Sequence, residues 1–148
     1  MVGLLLLTHN DIGLQLLLAA KSTYGSIPFR TEILAIDHYD KPADISRLAQ
    51  QYVKVLDSGK GVLVLTDMFG STPSNIAKEF CNNKAVNVVS GVNLSMLLNI
   101  FNYPKLSLKV LTNKAIEGGK DGKLTGFTSV GGIKTKKRLL NVEQKIKK

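Results

Sequence analysis

Residues 61–77, GVLVLTDMFGSTPSNIA, decide the fold. Gly61 to Thr66 is an unbroken apolar run of the kind that forms a strand covered on both faces. A carboxylate, Asp67, sits at its tip. Gly70, Ser71 and Thr72 make a turn, and Thr72 reads as the cap of a new helix with Pro73 at its first position. The N-terminal stretch GLLLLTHND repeats the arrangement, for Gly3 to Leu7 is a second apolar run that ends in His9. A helical pattern follows it as well.

Outward from these two stretches, strand and helix alternate. Asn10 or Asp11 can cap the first helix, whose apolar positions Ile12, Leu14, Leu16, Leu17, Leu18 and Ala20 cover more than one face and predict deep burial. Gly25 and Pro28 stop it. Glu32 to Ile36 reads as the second strand. Ile45, Leu48, Tyr52, Val53 and Leu56 recur at helical spacing until Gly59. After the Asp67 turn the pattern predicts a helix over about 73–82, a strand at Asn87 to Ser90 and a helix from Leu94 to Phe101. Lys105 to Glu117 is helical, with Gly118-Gly119 as its stop, and Lys123 to Val130 favours a late strand. The order predicts an α/β fold, a doubly wound, mostly parallel sheet with helices on both faces. In the flavodoxin-like strand order the switch point lies between strands 1 and 3, where His9 and Asp67 fall.

The chain has 148 residues, 44% of them hydrophobic and 21% charged, which fits one globular domain. The net charge of +9 is uneven. Residues 134–148 hold seven basic residues and one acid, a net of +6 that leaves +3 for residues 1–133. The division expected is therefore a domain over 1–133 and a basic tail over 134–148. The body carries no nucleic-acid signature, so no nucleic-acid partner is expected. No apolar run reaches the roughly 18 residues of a membrane span, and Met1 to Leu7 lacks the features of a signal peptide. The single cysteine, Cys81, cannot form an internal disulfide and reads as a buried filler. A cytoplasmic chain, not embedded in a membrane, is expected.

The chemistry follows from residue types. A neutral imidazole has one bare and one protonated nitrogen and is nucleophilic near neutral pH. A carboxylate that accepts the ring N–H fixes which nitrogen stays bare and balances the charge that develops there. His9 and Asp67 suit these roles. Gly70, Ser71 and Thr72 precede a helix and can offer amides and a hydroxyl to an anion, while phosphoryl transfer needs chiefly positioning and such donors. No spaced His/Cys cluster suggests a metal, and no cofactor is expected. Spacing alone leaves a plain capping turn and an exposed histidine as competing readings.

Three stretches resemble the mannose-class enzyme IIA domains of the bacterial phosphoenolpyruvate-dependent sugar phosphotransferase system. They are the Gly3-to-His9 start, Asp67-Met68-Phe69-Gly70-Ser71-Thr72-Pro73-Ser74-Asn75, and Val89-Ser90-Gly91-Val92-Asn93-Leu94-Ser95-Met96-Leu97. The resemblance covers about residues 1–130. It implies a phosphotransferase subunit in which His9 accepts a phosphoryl group from the HPr phosphocarrier protein and passes it to a IIB component on a separate chain, in association with a membrane permease complex. Asp67 would orient the ring and Thr72 would be the hydroxyl beside the phosphate. A homodimer exchanging a late strand, near 123–130, is also implied. Asn10, where the family commonly has glycine, and Ser71, where it often has a second one, are departures at expected phosphate-binding positions that bear on access or transfer rate and remove no group the mechanism needs.

Two other functions stay open at this level. One is a regulatory phosphorylation-state sensor of the same family. The other is a receiver-like domain phosphorylated on Asp67, which would want an acidic pair after the first strand where this chain has Thr8-His9-Asn10-Asp11. His38 reads as a loop residue, Phe69 as a partner contact or loop packing, and Asn93 as lining the site or capping a helix.

Overall fold

In the computed structural model, which describes residues 1–68 and 70–121, the four apolar runs lie side by side as parallel strands. They are β1 (Gly3–His9), β2 (Thr31–Ile36), β3 (Val62–Thr66) and β4 (Val86–Val89), in the order β2-β1-β3-β4. Between and after them run α1 (Ile12–Tyr24), α2 (Pro42–Leu56), α3 (Thr72–Ala77), α4 (Leu94–Phe101) and α5 (Leu108–Asp121). The expected doubly wound sheet is the one found.

The period of two along a strand explains why β1 and β3 are apolar throughout. Leu4, Leu6, Leu63 and Leu65 point to one face, into a core shared with α1, α4 and α5. Leu5, Leu7, Val62 and Val64 point to the other, against α2 and α3. All eight side chains are fully buried. At about 1.5–3 kcal/mol for each fully buried aliphatic side chain, these two central strands are the main hydrophobic investment of the fold.

Several sequence expectations need correction. Of Asn10 and Asp11, Asp11 occupies the N-cap position of α1 but makes no side-chain cap bond; the Thr8 hydroxyl accepts from Gly13 N–H at 2.8 Å instead. Nor is α1 buried all round. It packs on the sheet and α4 through Gly13, Leu17 and Ala20, which leaves Ile12, Leu14 and Leu18 exposed. Ser71, not Thr72, is the α3 cap, and α3 gives way after Ala77 to a 3₁₀ turn, Lys78–Phe80. Phe80 takes the core position there, so Cys81, just beyond, is exposed and not a buried filler. The α2 helix ends at Leu56, before Gly59, and the Asp57 carboxylate accepts from Gly59 and Gly61 N–H at 2.9 and 3.0 Å.

The α5 helix starts at Leu108, where the Ser107 carbonyl accepts from Leu111 N–H at 2.8 Å. It runs through Gly118-Gly119 instead of stopping there. A Cβ on Gly118 would lie 2.6 Å from the Asn99 Cβ and 3.1 Å from the Met96 Cα, so this glycine serves close approach of α5 to α4. The expected late strand at 123–130, its exchange between subunits, the tail at 134–148 and the role of Phe69 all lie outside the described residues.

Candidate functional site

From β1 the chain winds outward to β2, and from β3 to β4, so the crevice between β1 and β3 is the switch point. Leu7 pairs with Thr66 in the parallel register, which sets the two strand tips side by side. His9 and Asp67 leave from those tips and meet. The Asp67 Oδ2 accepts from the His9 backbone N–H at 3.0 Å and lies 2.7 Å from the ring Nδ1. Asp67 Oδ1 accepts from Met68 N–H at 3.0 Å.

A carboxylate offers only acceptors here, so Nδ1 carries the ring proton and Nε2 keeps its lone pair. The His9 side chain is 39% exposed and that of Asp67 11%, which leaves the ring reachable and its partner sheltered. Burial by itself pushes the Asp67 carboxyl up. The hydrogen bonds from the His9 ring and amide, the charge interaction with that ring and Asp67's own backbone amide outweigh it, and the net shift is downward.

Two buried threonines hold the loops around the pair. Thr8 takes the Gly13 amide, which fixes where α1 begins. Thr66 donates its hydroxyl to Ser90 Oγ at 2.9 Å, and its carbonyl accepts from Val92 N–H at 2.9 Å. Sequence reasoning passed over both. Their signal is a fully buried hydroxyl placed immediately before each candidate residue, in Thr8-His9 and Thr66-Asp67.

The remaining candidates lie on the connections that follow the strand ends. Asn10 adopts the left-handed backbone at φ 43° and donates its N–H to the Ile36 carbonyl at 2.9 Å, a conformation that asparagine tolerates better than most residues. Gly70 has φ 80°, and a Cβ added to it would meet no atom within 4 Å, so its need for glycine is conformational. The Ser71 hydroxyl is engaged in the turn, for it donates to the Met68 carbonyl at 2.5 Å and accepts from Ser74 N–H at 3.4 Å. Thr72 is exposed in the first turn of α3. Asn93 caps α4 by accepting from Met96 N–H at 2.8 Å and donates to the Gly119 carbonyl at 3.3 Å, tying the end of α5 to the rim. His38 packs edge-on against Tyr39, with ring centroids 5.4 Å apart. Among the described residues there is no group of three or more His, Cys, Asp or Glu that could hold a metal ion. None of their helices is long and apolar enough to cross a membrane.

Residues 3–115 match the family model EIIA-man, described as PTS system fructose IIA component. Among characterised proteins, the PTS system fructose-specific EIIA component of Bacillus subtilis (strain 168) is 28% identical over 118 residues, which span 76% of this chain and 78% of that protein. The phosphotransferase system component EIIA of Streptococcus agalactiae superposes with a TM-score of 0.76 at 23% identity, over 87% of this chain and 100% of that one. The mannose/sorbose specific IIA subunit of Enterococcus faecalis gives 0.74 at 22% identity, over 84% and 93%.

Proposed function

The chain belongs to the mannose-class enzyme IIA family of the sugar phosphotransferase system, and from that membership we propose that His9 is its phosphoryl carrier, loaded by phospho-HPr and unloaded to a IIB component. The observation that carries this reading is the 2.7 Å contact between His9 Nδ1 and Asp67 Oδ2. The Nε2 lone pair attacks the phosphorus of the incoming phosphohistidine. As the new N–P bond forms, the donor's own N–P bond breaks and its electron pair stays on the donor ring. The Nδ1 proton does not move. It remains on the ring, whose positive charge is balanced by Asp67. Transfer to the IIB component repeats the same displacement with His9 as leaving group.

Gly70, Thr72 and Asn10 border the phosphoryl position and supply donors for its equatorial oxygens, and Ser71 serves by shaping the turn. In-line transfer between imidazoles requires no metal or cofactor. The working form proposed is a cytoplasmic homodimer that exchanges the segment near 123–130, with residues 134–148 as a separate basic tail.

Incubation with phosphoenolpyruvate, enzyme I and HPr tests the assignment. Acid-labile, alkali-stable label that disappears in His9→Ala is the expected result. Label that is lost in alkali and survives in His9→Ala would assign an acyl phosphate on Asp67, the receiver-like chemistry, and overturn the proposal. A chain that loads on His9 but passes phosphate to no IIB component would be the regulatory sensor.

A further inference from the structure

Three of the connections at the carboxyl end of the sheet carry a large apolar side chain into solvent: Ile12 (45% exposed), the first residue of α1, after β1, Tyr39 (89%) after β2 and Met68 (59%) after β3. Beside Ile12, a shallow depression of about 490 Å³ is lined by Asp11, Gln15 and Leu16 as well. Among the described residues Tyr39 is the most exposed large apolar side chain, yet its loop is well defined. The Asp37 carboxylate accepts from Tyr39 N–H at 2.7 Å, and the Asp40 carboxylate accepts from Asp37 N–H at 2.8 Å. His38 packs against the ring edge-on, at 81°. Two carboxylate bonds to the backbone thus shape the loop, and it directs the aromatic side chain away from the core. That arrangement does nothing for the fold, but it lowers the ordering cost of a contact.

Its position relative to His9 is fixed by the sheet. Ile36 pairs with His9 across adjacent strands about 4.8 Å apart. Tyr39 follows three residues later, a reach of at most about 10.5 Å. A typical protein contact of about 800 Å² per partner, taken as a disc, has a radius of about 16 Å. A protein centred on His9 therefore covers Tyr39 too. Asp11, Asp37 and Asp40 are exposed on these same connections, three carboxylates against one exposed cation, Lys41. An acidic rim repels the phosphoryl group itself, so a partner that brings one must carry its own cations beside it.

We infer that Tyr39, with Ile12 and Met68, anchors the phosphoryl-donor protein on the rim beside His9. The inference rests on His9 as the carrier, and aromatic anchors of this type dominate many interfaces.

The test measures the initial rate of His9 labelling against phospho-HPr concentration. Tyr39→Ala is compared with Val55→Ala, a substitution of a half-exposed apolar residue in the last turn of α2. Tyr39→Ala is expected to raise KM at least tenfold with kcat within twofold, Tyr39→Phe to retain the wild-type KM, and Val55→Ala to change neither constant. Phosphoramidate, a small donor that needs no docking surface, should label wild type and Tyr39→Ala equally. A Tyr39→Ala KM within twofold of wild type, with phosphoramidate labelling intact, overturns the anchor and leaves the carrier reading standing. Failure of both donors to label His9 overturns both.

Discussion

Asp67 uses one oxygen, Oδ2, for both the backbone amide and the ring of His9, so removing its charge disturbs position and charge balance together. Asp67→Asn should slow labelling by phospho-HPr about tenfold to a hundredfold, the usual effect of losing a group that orients a reactive one. The same residue leaves a trace in stability. Its folded pKa is depressed, so its contribution is present above the unfolded value of about 3.9 and is lost as pH falls through the lower folded value. Urea unfolding of wild type and Asp67→Asn should show a stability gap at pH 7 that narrows below about pH 4. A gap that widens in acid would contradict the sign. His9 and Asp67 were legible in the sequence because reactive residue types stood at the ends of apolar runs. Thr8 and Thr66 were not, because a threonine inside such a run reads as a strand former. Whether its hydroxyl finds a loop amide depends on another segment. Ser71 and Thr72 are adjacent hydroxyls, both suited to capping, and the geometry alone separates them. Ser71→Ala should cost about 1 kcal/mol in denaturant unfolding. Thr72→Ala should cost less than about 0.5 kcal/mol, as an exposed substitution does, and act on the transfer rate instead.

The helices record how far local pattern reaches. The bounds of α4, Leu94 to Phe101, are legible in the sequence because its cap and its apolar face lie in its own residues. At the end of α5 the paired glycines resemble a stop, and the reason they are not lies in residues of α4 that face them. Two substitutions separate the effects. Alanine favours a helix over glycine by about 1 kcal/mol. At Gly118 the new Cβ meets the Asn99 Cβ at 2.6 Å and main-chain atoms of α4, which cannot turn aside. Overpacking of this kind costs about 1–3 kcal/mol, so Gly118→Ala should be destabilising. At Gly119 the nearest atom is the Met96 Cε at 2.9 Å, the far end of a flexible side chain. Gly119→Ala should therefore be neutral or stabilising by up to about 1 kcal/mol. Equal losses at both positions in urea unfolding would remove the close-approach account of Gly118.

At the scale of the whole molecule, the alternation of elements made the fold class legible, and the need to bring His9 and Asp67 together agrees with the β1–β3 adjacency. What remains is the outer rim of the sheet. Of its four strands, β4 is the shortest, and among the described residues only β3 pairs with it. An open strand edge of this kind invites pairing and is usually covered. Residues 123–130 carry Leu124, Phe127 and Val130 and follow α5, whose last turn is tied to the β4–α4 loop through Asn93. Residues 134–148 are mostly polar and basic, with four aliphatic residues among fifteen, Leu139, Leu140, Val142 and Ile146. Two truncations should divide these roles. With the homodimer proposed above, a chain ending at 133 is expected to sediment as the full chain does, to unfold within about 2 °C of it and to load His9 at the same rate, since loss of a basic chain terminus generally changes stability little. A chain ending at 121 is expected to sediment as a monomer, because it lacks the segment proposed to be exchanged while it keeps His9 and Asp67. A dimer that survives the shorter truncation would place the subunit contact elsewhere, and one that dissociates at 133 would place it in the basic segment.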